Sequence, residues 1–129
     1  STCSPAEYFR ESFAMFKAIM WSSPVTLKIA KIITLEQLRN QSVRQFFIEE
    51  LIEKPNATLQ YVLDLMLENG SIDQVNTRVL AEEYNSYIIY LYFEQNFLQE
   101  SPSLEIIEKK MAQHNDFYVH VVLKQKEGN

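Results

Sequence analysis

Between Tyr87 and Phe93 the chain reads Tyr-Ile-Ile-Tyr-Leu-Tyr-Phe, an unbroken run of apolar and aromatic side chains inside a segment patterned as a long helix. A helix of a small globular domain needs one apolar stripe, facing its own core. At about 3.6 residues per turn the run covers nearly two turns, so apolar groups point in every direction around the axis. In a chain this small, one helix is rarely wrapped on all sides by its own partners. The surplus face asks for a second molecule or a ligand.

At 129 residues the chain fits one domain, long enough to bury roughly two-thirds of its unfolded surface. Glycine is almost absent, with only Gly70 and Gly128. That scarcity excludes the glycine-rich phosphate loops of nucleotide-binding folds and most hairpin turns, and points to an all-α chain. The formal charge is −5 and Lys and Arg do not cluster beyond Lys124-Gln125-Lys126. Direct binding of nucleic acid by these residues is therefore not expected. Cys3 stands alone, which suits a reducing, cytoplasmic setting without disulfides. The apolar runs are too short for the ~20 residues of a membrane-crossing helix, so no membrane partner is expected.

Punctuation divides the chain into six expected helices, over about 5–21, 24–39, 43–54, 56–69, 77–98 and 102–123. Ser4-Pro5-Ala6-Glu7 is a capping box with Pro at the first helical position. Ser22-Ser23-Pro24 separates the first two helices, and the second carries Val25, Ile29, Ile32, Ile33 and Leu35 as its stripe. Asn40 closes that helix and Ser42 opens the third, while Pro55 breaks the path before the fourth. Asn69-Gly70 is a left-handed cap, Asn76 an N-cap, and Ser101-Pro102 the start of the last helix. The two longest helices come last, joined by a short connection, and should pack antiparallel. Two copies of that pair about a two-fold axis would make a four-helix bundle burying roughly 1,200 Å² or more.

Catalytic chemistry is hard to assemble from these residues. His114 and His120 are six apart, about 240° around a helix, and cannot share a metal from one face. No Glu-x-x-His pair and no Gly-x-Ser-x-Gly turn is present. No enzyme activity, metal or cofactor is expected. Asp116 and His120 are spaced for an ordinary surface ion pair, and His114 falls on the apolar stripe of the last helix. The aromatic and Met inventory is more suggestive. Phe13, Phe16, Met20, Trp21, Phe47, Tyr61, Met66 and Tyr87 lie on or beside stripes that converge. Core packing accounts for each of them; the functional alternative is that some line a cavity for an apolar small molecule, with Tyr61, and Asn85 with Ser86, as orienting polar groups.

The stretch from Leu67 to Asn76, followed by Val79 to Ile88, resembles the C-terminal region of TetR-family transcriptional regulators, with a Gly-containing turn and a polar start before a long penultimate helix. Ile106-Ile107-Glu108 through Phe117-Tyr118 is similar to the last helix of that family. The resemblance implies a six-helix effector-binding and dimerisation domain that reaches DNA only through a helix-turn-helix module not found ahead of Ser4. It implies a homodimer interface on the last two helices, with Tyr84, Tyr87, Ile88, Leu91, Met111, His114, Tyr118 and Val121 in contact. It also implies a pocket for a small apolar or aromatic effector, to which Phe13, Phe16, Met20, Trp21, Phe47, Tyr61, Met66 and Asn85 contribute. Ligand binding would then change the spacing of the DNA-binding modules by a shift of population. Two rival readings are a ligand-free helical interaction module and a stand-alone carrier of a hydrophobic molecule.

Overall fold

In a computed structural model the described residues are 4–21, 23–73 and 76–123. Cys3, Ser22, the Gln74-Val75 end of the loop before Asn76 and the tail from Lys124 lie outside them. Local caps set the first boundaries. Ser4 Oγ accepts from the Glu7 N–H at 3.2 Å and Pro5 is the first residue of α1 (Pro5–Met20). α2 (Pro24–Glu36) unwinds through a tight turn, in which the Arg39 N–H donates to the Glu36 carbonyl at 3.1 Å. Asn40, rather than Ser42, caps α3 (Gln41–Phe47) by accepting from the Val43 N–H at 3.1 Å. An amide side chain one residue earlier satisfies the same orphan donors, so the hydroxyl is not needed.

Pro55 does not break the chain. α3 runs through a π-helical stretch (Ile48–Glu53) directly into α4 (Lys54–Glu68), so the two helices expected over 43–54 and 56–69 form one continuous rod. In a regular α-helix a proline ring collides with the carbonyl four residues back. Here the wider turn, in which the Lys54 N–H reaches the Glu49 carbonyl, gives the ring room beside Leu51. The rod ends as the sequence indicates. Gly70 has φ 82°, Ser71 N–H reaches the Met66 carbonyl at 2.8 Å, and Gly70 N–H reaches Leu67 at 3.3 Å. This paired closure needs the left-handed conformation that glycine adopts without a Cβ clash.

α5 (Thr77–Phe97) starts at Asn76, whose side chain accepts from the Val79 N–H. α6 (Leu104–Phe117) starts at Ser103 and passes into a second π-helical stretch (Tyr118–Val122). Side-chain pairs fix the directions. Thr77 bonds Asp64 and Asn85 bonds Asn56, so α4 and α5 run antiparallel. Tyr118 bonds the Leu80 carbonyl and Lys110 bonds Glu94, so α5 and α6 do too. The described residues thus make an all-α fold of five rods without strands.

The core is built around the inner face of α5. Phe9, Leu59, Leu63, Met66, Ile72, Ala81, Tyr84, Leu91, Met111, Tyr118 and Val119 form one buried cluster. This changes the reading of the last two helices. Tyr84, Leu91, Met111 and Tyr118, expected on a dimer face, are interior to the single chain because α1, α4 and α6 close over them. Tyr87, Ile88 and His114 are partly buried, and Val121 alone of that set is well exposed. The aromatic run of α5 is consequently covered from both flanks, leaving Tyr90 and Phe93 outermost. Because Leu91 is 1% exposed, Leu91→Ala should lower the unfolding free energy by about 2–5 kcal/mol in a denaturant titration, through lost burial and a cavity. A loss under about 1 kcal/mol would contradict this placement of α5.

Candidate functional site

A cavity of about 360 Å³ opens between α1, the π-helical stretch with the start of α4, and α5. α1 contributes Tyr8, Phe9, Phe13 and Phe16, with Ser12 among them. The rod contributes Glu50, Leu51, Lys54, Pro55, Thr58 and Leu59. α5 closes the third side with Tyr84, Asn85, Ile88 and Ile89. The sequence makes these faces converge for simple reasons. Phe9, Phe13 and Phe16 recur at helical spacing, and the extra residue of the π turn brings Glu50, Leu51 and Lys54 to the same wall. Volume and aromatic lining suit a small organic ligand, since such pockets start near 300 Å³ and carry few polar groups.

The polar groups are held in place. Asn85 Nδ2 donates to Asn56 Oδ1 at 2.8 Å, which fixes its amide against the cavity wall. Lys54 pairs with Glu50, so the two charges at the wall balance one another. The Tyr84 hydroxyl donates to Asn115 Oδ1, and Asn115 in turn donates to the Phe9 carbonyl. Burial holds the Tyr84 hydroxyl protonated far above its ordinary range. The site is therefore aromatic and hydrogen-bond competent, with one ion pair, Glu50–Lys54, on its wall. Among the described residues no cluster of His, Cys, Asp and Glu could hold a metal ion.

Of the residues expected to line a pocket, Phe13, Phe16 and Asn85 are brought together here. Met20, Trp21, Phe47, Tyr61 and Met66 are not part of the lining. Trp21 is buried at the end of α1, edge-on to Phe16 at 5.4 Å and donating to Asn96 Oδ1. Met66 belongs to the core at the far end of α4. Tyr61 is 65% exposed, because it lies on the opposite side of α4 from Leu59 and Leu63. Tyr84 and Ile88, expected to meet a second copy, face this cavity instead. Sequence reasoning missed Pro55, Leu51 and Thr58, which could be found only by knowing that the rod continues through the proline.

A second, open groove of about 490 Å³ lies on the other side of α5, between it and α6. His114 stacks there against Tyr84 and Tyr87, with centroids 4.7 and 4.3 Å away, and its Nε2 lies 3.1 Å from the Tyr84 carbonyl. Burial among these rings holds the imidazole below its ordinary pKa, against the opposing effects of the Tyr84 carbonyl and the Glu83 charge. Nearby, Lys110, Tyr90 and Gln95 all bond Glu94 and hold its carboxyl down to about 2. Asp116 and His120 come within 3.5 Å at the surface.

No family model, curated protein or solved structure matches this chain.

Both titrations carry a sign. His114 is harder to protonate in the fold, so the unfolded chain gains a proton first as pH drops below 6.5, and stability is lost there. Glu94 contributes stability above the ordinary carboxylate value of 4.5, lost as pH falls toward about 2. Unfolding titrations from pH 8 to 3 should show the first loss abolished in His114→Gln and the second reduced in Glu94→Gln. Parallel profiles for all three proteins would contradict these environments.

Proposed function

We propose that this chain is the effector-sensing domain of a regulator of the TetR type, with a small, neutral, largely aromatic or apolar molecule as its ligand in the cavity of α1, α4 and α5. The observation that carries this reading is the cavity itself, walled on three sides by apolar and aromatic groups with a few fixed polar ones. The packing supports a route for the signal. α1 contacts α6 through the Lys17–Glu108 pair at 2.8 Å, whereas the rod contacts α5 through Thr77–Asp64 and Asn85–Asn56. A ligand wedged between α1 and the rod would favour one spacing of these two bodies over another. That differential contact is what a ligand needs to shift a conformational equilibrium.

As in the family resembled, the chain would pair with itself through the last two helices. Tyr90 and Phe93 of α5 with Phe117 and Val121 beyond it are the exposed apolar groups available for that face. DNA would be read by a separate helix-turn-helix module whose spacing the domain adjusts. No membrane contact belongs to this reading, and no single helix among the described residues is long and apolar enough to cross one.

The pocket is tested with N-phenyl-1-naphthylamine, a neutral aromatic dye that brightens on leaving water. It should bind saturably at one site, and Thr58→Trp, which projects an indole into the cavity, should weaken it at least tenfold while leaving the fold intact by circular dichroism. Undiminished binding by the Thr58→Trp variant would refute the site. Val121→Asp should break the α5–α6 contact alone, halving the mass seen in sedimentation experiments with no loss of dye binding.

A further inference from the structure

α2 wears its polarity inside out. At about 100° per residue, Thr26, Ala30 and Thr34 share the inward side with the half-buried Leu27 and Ile33. There the Thr34 hydroxyl meets the Tyr92 hydroxyl at 2.7 Å, and the Tyr92 hydroxyl lies 3.1 Å from the Ala30 carbonyl. The outward side carries Val25, Ile29 and Ile32, which are 64%, 53% and 63% exposed, with Leu35 beyond them. The residues read from the sequence as the core stripe of this helix, Ile33 excepted, therefore face solvent. Aliphatic side chains gathered on one exposed helix face mark a site of association.

Two charges say what covers the stripe. Lys28 and Glu36 stand one turn before and one turn after Ile32, in the i, i+4 row Lys28–Ile32–Glu36. Turned end for end about Ile32, this row meets itself with its charges interchanged. A small ligand needs a concave pocket, and no α2 residue lines either of the two cavities described above. An anionic bilayer would attract Lys28 but gain nothing from Glu36, the last residue of α2. A second copy would use it.

We propose that the outer face of α2 binds the same face of a second copy about a two-fold axis beside Ile32. The i, i+4 ridges then lie side by side, and the helices cross at about 50°, the commonest class of helix packing. Lys28 of each copy approaches Glu36 of the other, so each contact occurs twice by symmetry. Within its own chain Glu36 holds only the exposed Arg39, through Nη2 at 3.0 Å, and remains accessible to a further cation. The contact does not depend on the effector reading and lies apart from the α5–α6 face.

Sedimentation equilibrium decides it. Ile32→Asp should halve the mass of the particle without lowering the thermal midpoint at concentrations where the parent is dissociated, since Ile32 is already in solvent there. In the Val121→Asp background, which removes the α5–α6 contact, the chain should still form a dimer. Lys28→Glu and Glu36→Lys should each weaken that dimer about tenfold, and the two together should restore it to within about threefold, because the pair is exchanged across the axis. An unchanged mass for Ile32→Asp would overturn the proposal, as would a double variant weaker than either single one. A chain that is monomeric with Val121→Asp, yet sediments with phosphatidylglycerol vesicles in a manner that Ile32→Asp abolishes, would assign the stripe to lipid instead.

Discussion

The packing of Tyr84 holds the architecture together. Its ring lies 4.5 Å from Phe9, 4.9 Å from Tyr118 and 4.7 Å from His114, so one side chain of α5 touches α1, α6 and the π-helical stretch beyond α6. Tilted and edge-on aromatic contacts of this kind add to the stabilisation from burial alone. Its hydroxyl cannot go unpaired at this depth, and Asn115 supplies the acceptor. Asn115 also donates to the Phe9 carbonyl, which ties the backbone of α1 to the same network. The other edge of the ring forms part of the cavity wall. Core and candidate site are thus built from the same atoms, and any displacement of α1 by a bound molecule must be felt at α6.

Much of this framework is legible in the amino-acid order because it is local. Ser4, Asn76 and Gly70 declare their roles through hydrogen bonds spanning three to five residues. Such contacts need no knowledge of distant neighbours. Pro55 misleads for a physical reason. A proline forbids the ordinary α turn but not a wider one, and sequence spacing alone does not distinguish a break from a π-helical turn. Once the rod is continuous, Leu51 and Thr58 join Phe13, Phe16 and Asn85 around one space, which no pattern in the chain announces.

The apolar run of α5 teaches the complementary lesson. Periodicity reports how much apolar surface a helix carries and on which sides, and is silent about what lies opposite. Helices α1, α4 and α6 supply enough partners to cover Tyr84 and Leu91. The unsatisfied surface lies instead on α2, where short Thr and Ala side chains permit close approach to Tyr92 and the branched residues are left outside. Comparison of those two helices shows that overall greasiness predicts exposure poorly when a domain is only a few rods wide. Tertiary arrangement decides which rod sits in the middle.

The π-helical stretch from Ile48 to Glu53 gives the rod one residue of slack beside the cavity. Elsewhere ahead of Leu59, losing a residue would turn the following part of the helix by about 100° and carry Leu59 and Leu63 out of the core. Within the loosened turn the same loss could be absorbed by tightening to a regular helix, with the strain falling on Pro55. Length variation in descendants of this chain should therefore collect at this one place. The wall of the cavity would change shape while the core behind it kept its register.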